Sequence, residues 1–145
     1  METRLHFVTL AARDLDGSRR FYSDGFGWDP QLDVPDEILF YPVGPGLLLG
    51  LFQADKFARD AAGAQPATPG GVTLSFNVDT EDEVQPLVDR LVGAGGTVVK
   101  PAQKSEFGGM VHALVRDPND VIWEIGYNPN WSIRPDGSVE LTPPA

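Results

Sequence analysis

The sequence contains no cysteine, only three lysines and only two histidines. The lack of cysteine excludes disulfide frameworks, thiolate metal sites, iron–sulfur clusters and cysteine nucleophiles. The longest apolar stretch, GLLLGLF at 46–52, is much shorter than a membrane span. The N-terminal METRLHFVTL lacks the basic region and apolar core of a signal peptide. We therefore expect a cytoplasmic protein with no membrane partner.

Basic residues are also scarce. The 145 residues contain 11 Lys plus Arg against 21 Asp plus Glu, a formal net charge of −10. Nucleic-acid binding needs a basic stripe, whereas Lys56, Lys100 and Lys104 are scattered, so we expect no nucleic-acid partner. The 41% apolar content is enough for one domain with a buried core.

The first half of the chain, residues 4–53, has the pattern of a strand, a helix and three strands. Strands are predicted at 4–12, 28–34, 37–43 and 46–53. A helix follows the first strand, with Asp14 as its N-cap. Residues 54–70 are rich in Ala, Pro and Gly and connect the halves, with a short helical turn at DKFARDAA.

The second half, residues 71–128, repeats this order. Strands are predicted at 71–78, 97–101, 109–116 and 121–127. The intervening helix opens with a capping box of Thr80 and Glu83. The tail, 129–145, reads as a small hairpin around the Pro135-Asp136-Gly137 turn. The sequence therefore predicts an α+β fold of two βαβββ modules in a single domain of residues 1–145.

Three segments carry a resemblance to a known family. They are VTLAARDLDGSRRFYSDGFGW (8–28), AGGTVVKP (94–101) and FGGMVHALVRDPNDVIWEIGYNPNW (107–131). Together they resemble the vicinal oxygen chelate superfamily, also called the glyoxalase, bleomycin-resistance and dioxygenase superfamily. The resemblance implies paired βαβββ modules that form an open β-cup around a small molecule, usually in a homodimer.

For the metal-using members, the resemblance implies four ligands in the cup: a His on the first strand, a Glu on the fourth, a His on the fifth and a Glu on the last. Glu124 occupies the last of these positions. The first falls on Phe7, the second in LLLGLF, and the third on Thr73, or on Gly71 if the two VTL strings are superposed. None of these is a strong ligand, so we predict no metal and no other cofactor.

The candidate catalytic residue is Glu124, as a base, a hydrogen-bond acceptor or a ligand anchor. It is equally well explained as a carboxylate that is retained from the family without a function and is held by polar neighbours. The predicted ligand-binding residues are Phe7, Thr9, Thr73, Phe107, His112, Trp123 and Glu124. The aromatic residues indicate an apolar cup, although each one taken singly is more often core. Phe107 with Gly108-Gly109 predicts a mobile loop over the cup mouth, or else a simple strand-entry turn.

Three functions follow from this site. The first is metal-independent binding of a small apolar or planar molecule in the cup. The alternative is a metal-dependent lyase, isomerase or dioxygenase that acts on a small oxygenated substrate, with His6, His112 and Glu124 holding a divalent ion. Strand alternation places His6 on the face opposite Phe7, so this alternative needs a bulge. The third is a dimeric scaffold with no ligand.

Overall fold

The computed structural model describes residues 2–61, 71–106 and 108–142. It confirms the α+β class and the repeated βαβββ order. The strands are β1 (Phe7–Ala12), β2 (Leu32–Val34), β3 (Ile38–Gly44), β4 (Leu47–Gln53), β5 (Thr73–Asn77), β6 (Thr97–Lys104), β7 (Val111–Arg116), β8 (Ile122–Tyr127), β9 (Trp131–Ile133) and β10 (Val139–Leu141). The helices are α1 (Leu15–Arg19), α2 (Ala54–Asp60) and α3 (Val84–Gly93).

The two modules have the same sheet topology. The first sheet has the order β1-β4-β3-β2 and the second the order β5-β8-β7-β6. In each sheet the first strand of the module lies parallel to the last, and the other neighbours are antiparallel. The tail forms the predicted hairpin, in which β9 pairs with β10. This repetition is the architecture that the sequence predicts.

Helix α1 begins where the sequence places its N-cap. The Asp14 carboxylate accepts a hydrogen bond from the Gly17 N–H at 2.8 Å. The helix then continues as a π-helical segment, Arg20–Gly25, which the sequence did not indicate. Among the described residues no helix is both long and apolar enough to cross a membrane.

Several strand predictions differ from the structure in extent, and the first strand, expected at 4–12, begins at Phe7. The strand expected at 28–34 pairs only over Leu32–Val34. Trp28 instead packs against the end of the π-helical segment. Its N–H donates to the Tyr22 carbonyl at 3.1 Å, and its ring stacks on Phe26 with centroids 4.5 Å apart. The strand expected at 97–101 extends to Lys104, with two shifts of register against β7.

A single core joins the two modules. Each sheet contributes one face to it, and α1 and α3 contribute their apolar sides. Tyr22 lies at the centre, because its ring centroid is 5.6 Å from that of Tyr41 on β3 and 6.0 Å from that of Trp123 on β8. Side chains alternate along a strand, so the second face of each sheet points away from this core.

Candidate ligand-binding site

The outward face of the first sheet is apolar. It carries Phe7, Thr9, Phe40, Leu48, Gly50 and Phe52, which we call the aromatic face. Phe7 is 51% exposed, although its ring packs edge-on against Phe40 with centroids 5.5 Å apart. Phe40, Leu48 and Phe52 around it are half-buried, and a contiguous apolar patch on a sheet face is typical of a surface that another molecule covers.

Gly50 shapes the aromatic face. It occupies β4, where a Cβ atom would lie 3.0 Å from Phe40 Cε1 and 3.2 Å from Thr9 Oγ1. These distances are shorter than ordinary van der Waals contacts, so Phe40 and Thr9 close over the strand only because position 50 has no side chain. The fourth strand therefore presents an apolar surface where the family resemblance implies a carboxylate.

The outward face of the second sheet carries a row of polar side chains, one on each strand. Ser75, Glu124, His112 and Lys100 lie on β5, β8, β7 and β6 in spatial order, and we call them the polar row. Lys100 Nζ is 3.2 Å from His112 Nε2, His112 Nδ1 is 3.7 Å from Glu124 Oε2, and the Ser75 hydroxyl donates to Glu124 Oε1 at 3.4 Å.

The neighbours of His112 define which ring nitrogen carries the proton. A lysine ammonium group has no acceptor, so His112 Nε2 accepts from Lys100. The imidazole proton is then on Nδ1, which faces the Glu124 carboxylate. The row therefore places an ammonium group, an imidazole and a carboxylate in that order across the sheet. It offers a ligand both hydrogen-bond donors and an acceptor.

The structure brings some of the predicted site residues together. His112 and Glu124 are neighbours on one face, with side chains 18% and 29% exposed, and Thr73 lies on the same face at the start of β5. Phe7 and Thr9 lie on the other sheet. Four cavities of about 320 to 500 Å³ among the described residues have none of Phe7, Thr73 and Glu124 in their walls. Within one chain these residues thus form two separate surfaces.

One of the predicted residues, Trp123, does not belong to these surfaces, and another lies outside the described residues. Trp123 is adjacent to Glu124 on β8 and therefore points the opposite way, into the core, where it is 4% exposed. Its indole N–H donates to the Tyr22 hydroxyl oxygen at 3.1 Å. Phe107 lies outside the described residues, next to Gly108 and Gly109, which both have positive φ angles.

Two members of the polar row were missed by the sequence analysis. Strand alternation could have predicted the position of Ser75, because it lies two residues after Thr73 on β5 and therefore on the same face. The position of Lys100 is harder to predict, because the register of β6 against β7 shifts on both sides of it. Bulges of this kind break the two-residue period on which the sequence argument depends.

A buried hydrogen-bond network anchors the polar row to the first module. The Asp117 carboxylate accepts from the Tyr22 hydroxyl and from the N–H groups of Asn119 and Val121, each at 2.8 Å. The Asn119 side chain in turn accepts from the Asp14 N–H at 2.8 Å. Burial raises the pKa of Asp117, and burial together with the adjacent carboxyl raises the pKa of Tyr22 well above its ordinary value. The network fixes the loop that leads into β8.

The donor set does not fit the four-ligand metal site that the family resemblance implies. In the described part of the chain, no three or more His, Asp or Glu side chains are grouped so as to hold a metal ion. His112 and Glu124 supply two donors, but His6 lies exposed ahead of β1. Gly50 and Thr73 occupy strands from which further ligands would come. Two donors are fewer than a catalytic metal site ordinarily uses.

Comparison with known proteins identifies similar sequences and structures. The sequence model of the Glyoxalase/Bleomycin resistance protein/Dioxygenase superfamily matches residues 4–125. A glyoxalase-related enzyme from Fulvimarina pelagi is 40% identical over 97% of this chain and 99% of its own, with a TM-score of 0.88. A lactoylglutathione lyase from Agrobacterium tumefaciens is 26% identical over 92% of this chain and 100% of its own, with a TM-score of 0.69. No curated protein matches the chain.

Proposed function

Because the chain belongs to the Glyoxalase/Bleomycin resistance protein/Dioxygenase superfamily, we propose that it binds a small apolar or planar molecule without a metal. The ligand lies between an aromatic face and a polar row. The observation that carries this proposal is the aromatic face itself, where Phe7 stands half-exposed beside Phe40 and Gly50 leaves the surface flat. Flat aromatic surfaces bind planar ligands by stacking and by removing apolar area from water.

Two copies of the chain complete each binding cup. Both faces point away from the shared core, so within one chain they do not enclose a ligand. In a homodimer the aromatic face of one copy meets the polar row of the other, and two-fold symmetry produces two such cups. This arrangement covers Phe7 and gives the ligand one apolar wall and one polar wall, as small-molecule sites ordinarily have.

In this cup Glu124 orients the ligand. One carboxylate oxygen accepts from Ser75, and the other faces His112 Nδ1. A hydroxyl or amine of the ligand donates to this carboxylate. The relative from Fulvimarina pelagi is described as an enzyme. We assign any proton transfer in this chain to Glu124, because its carboxylate lies on the outward face beside an imidazole.

Thermal unfolding with uncharged planar compounds tests the proposal. The panel contains naphthol, naphthamide and anthraquinone. A compound present at a hundredfold excess over its Kd stabilises the folded state by about 2.7 kcal/mol, which raises Tm measurably. Phe7→Ala should reduce the rise. Leu141→Ala, which shortens a 63% exposed leucine on β10, should preserve it. The proposal is wrong if no compound raises Tm, or if the two variants respond alike.

A metal-dependent lyase, isomerase or dioxygenase remains the competing function, favoured by the 3.7 Å approach of His112 Nδ1 to Glu124 Oε2. It requires additional ligands from water or from substrate. Elemental analysis of protein expressed with added Ni, Zn, Mn and Fe distinguishes the two functions. Our proposal predicts no stoichiometric metal. One metal per chain that is lost in Glu124→Ala would establish the competing function.

A further inference from the structure

We infer that the ligand carries a single carboxylate group, which Lys100 binds in the small cavity beside His112. This inference rests on the proposed function and adds to it the charge and class of the ligand, a planar monocarboxylate. It depends on three observations: the partners of Lys100, the composition of the cavity, and the spacing of Lys100 from Glu124.

Lys100 is a half-buried cation without a carboxylate partner among the described residues. Its ammonium group contacts His112 Nε2, and none of the carboxylates in the described ranges lies within 4.0 Å of it. The other two lysines differ, since Lys56 lies 3.9 Å from Glu37 and Lys104 lies 3.9 Å from Glu81. Partial burial of a charge costs free energy unless a counter-ion is near. In a chain of net charge −10, this position is open to an anion from outside.

The cavity beside Lys100 has donors for a carboxylate. Its volume is about 320 Å³, and Gln103 and His112 lie next to Lys100 in its wall. An ammonium group has three N–H donors, of which His112 takes one, and the Gln103 amide adds two more. Two oxygens of a carboxylate can therefore be bound together by the remaining Lys100 donors and the Gln103 amide.

The surrounding charges favour an anion of one charge. The exposed Lys104 and Glu106 also line this cavity, where Lys104 is paired with Glu81 at 3.9 Å, and Glu124 lies beyond His112. With the negative field of the whole chain, these carboxylates disfavour a doubly charged phosphate more strongly than a carboxylate. A single Lys100 ammonium matches a single negative charge. The site therefore favours a monocarboxylate.

The spacing across the sheet gives the shape of the ligand. Lys100 and Glu124 lie on β6 and β8, which are separated by β7. Neighbouring strands are about 4.8 Å apart, so the two strands are separated by roughly 10 Å. The imidazole of His112 fills the space between the two charged groups. An aromatic ring with a carboxylate at one end and a hydroxyl at the other spans this distance, with its face toward the aromatic face of the second copy.

Titration calorimetry with naphthoate and naphthamide tests the inference, because these planar compounds differ only in charge and donor groups. Wild-type protein should bind naphthoate at least about tenfold more tightly than naphthamide, the usual effect of a hydrogen bond to a charged group. Lys100→Met should abolish this preference. Lys56→Met removes the same charge outside the cavity and should retain the preference. If Lys100→Met does not fold, Lys100→Gln replaces it.

The outcomes separate this inference from the proposed function. Equal wild-type affinities for naphthoate and naphthamide would overturn the carboxylate assignment and leave planar-ligand binding intact. A preference for naphthoate that survives in Lys100→Met would also overturn it. If neither compound binds and no compound of the uncharged panel raises Tm, the proposed function is wrong. The carboxylate assignment is then wrong as well, because it rests on that function.

Discussion

Removing the Tyr22 hydroxyl should destabilise the folded protein, because this group links the two modules by hydrogen bonds. Tyr22 is fully buried, and its hydroxyl donates to Asp117 Oδ2 at 2.8 Å and accepts from Trp123 Nε1 at 3.1 Å. The two backbone N–H groups that reach Asp117 bind its other oxygen. Tyr22→Phe therefore leaves two buried polar atoms without their hydrogen-bond partner, and the ring itself is unchanged.

The expected loss follows from those two atoms. A hydrogen bond to a carboxylate contributes about 1.5 to 3 kcal/mol, and an unsatisfied buried N–H costs about 1 to 3 kcal/mol. We expect Tyr22→Phe to lower the free energy of unfolding by roughly 3 to 5 kcal/mol, a large fraction of the 5 to 15 kcal/mol typical of a domain. Tyr41→Phe is the matched control. The Tyr41 side chain is also buried, but its hydroxyl is less deeply buried and has a neutral partner, Ser23 Oγ at 3.1 Å, so we expect a loss of about 0.5 to 1.5 kcal/mol.

Urea unfolding followed by tryptophan fluorescence measures both losses. The midpoint should fall much further in Tyr22→Phe than in Tyr41→Phe, with the same m-value in all three proteins, because the surface exposed on unfolding is unchanged. Losses of similar size in the two variants would refute the reasoning, since they would mean that the Asp117 network adds nothing beyond an ordinary buried hydroxyl.

Three further predictions concern pH and packing. Burial raises the pKa of Asp117, so its contribution to stability is present at low pH and is lost as the pH rises through its pKa in the folded protein. The urea stability of wild type relative to Asp117→Asn should therefore increase as the pH is lowered. The Arg19 guanidinium lowers the pKa of Asp33, so Asp33→Asn should cost up to about 1 kcal/mol at neutral pH and nothing below that pKa, again by urea titration. Gly50→Ala should cost about 1 to 3 kcal/mol through its contact with Phe40, and calorimetry should show weaker binding of naphthol.

The sequence predicts the fold well because both modules follow local rules. The first helix begins at the Asp14 cap, and the apolar periods locate every strand of both sheets. The π-helical turn at Arg20–Gly25 was not predicted, since nothing local distinguishes it from a continuing helix. The Asp117 network was not predicted, because its partner Tyr22 lies 95 residues away in the chain.

The candidate site was predicted in part. The alternation rule that sets His6 and Phe7 on opposite faces applies equally to Trp123 and Glu124, and applying it would have placed the tryptophan in the core. Lys100 was missed because bulges interrupt the period of its strand. Periodicity also gives no information on whether two faces of one chain meet each other, which depends on how the modules dock.

A mixed dimer tests the central claim that each cup takes one wall from each copy. A Phe7→Ala chain and a Glu124→Gln chain, carrying different affinity tags, are combined and the dimer that holds both is purified. One of its cups then contains both substitutions and the other contains neither. We predict that each parent protein binds naphthol weakly, and that the mixed dimer binds one naphthol with wild-type affinity. A mixed dimer that binds as weakly as its parents would contradict the account, because each cup would then be formed within a single chain.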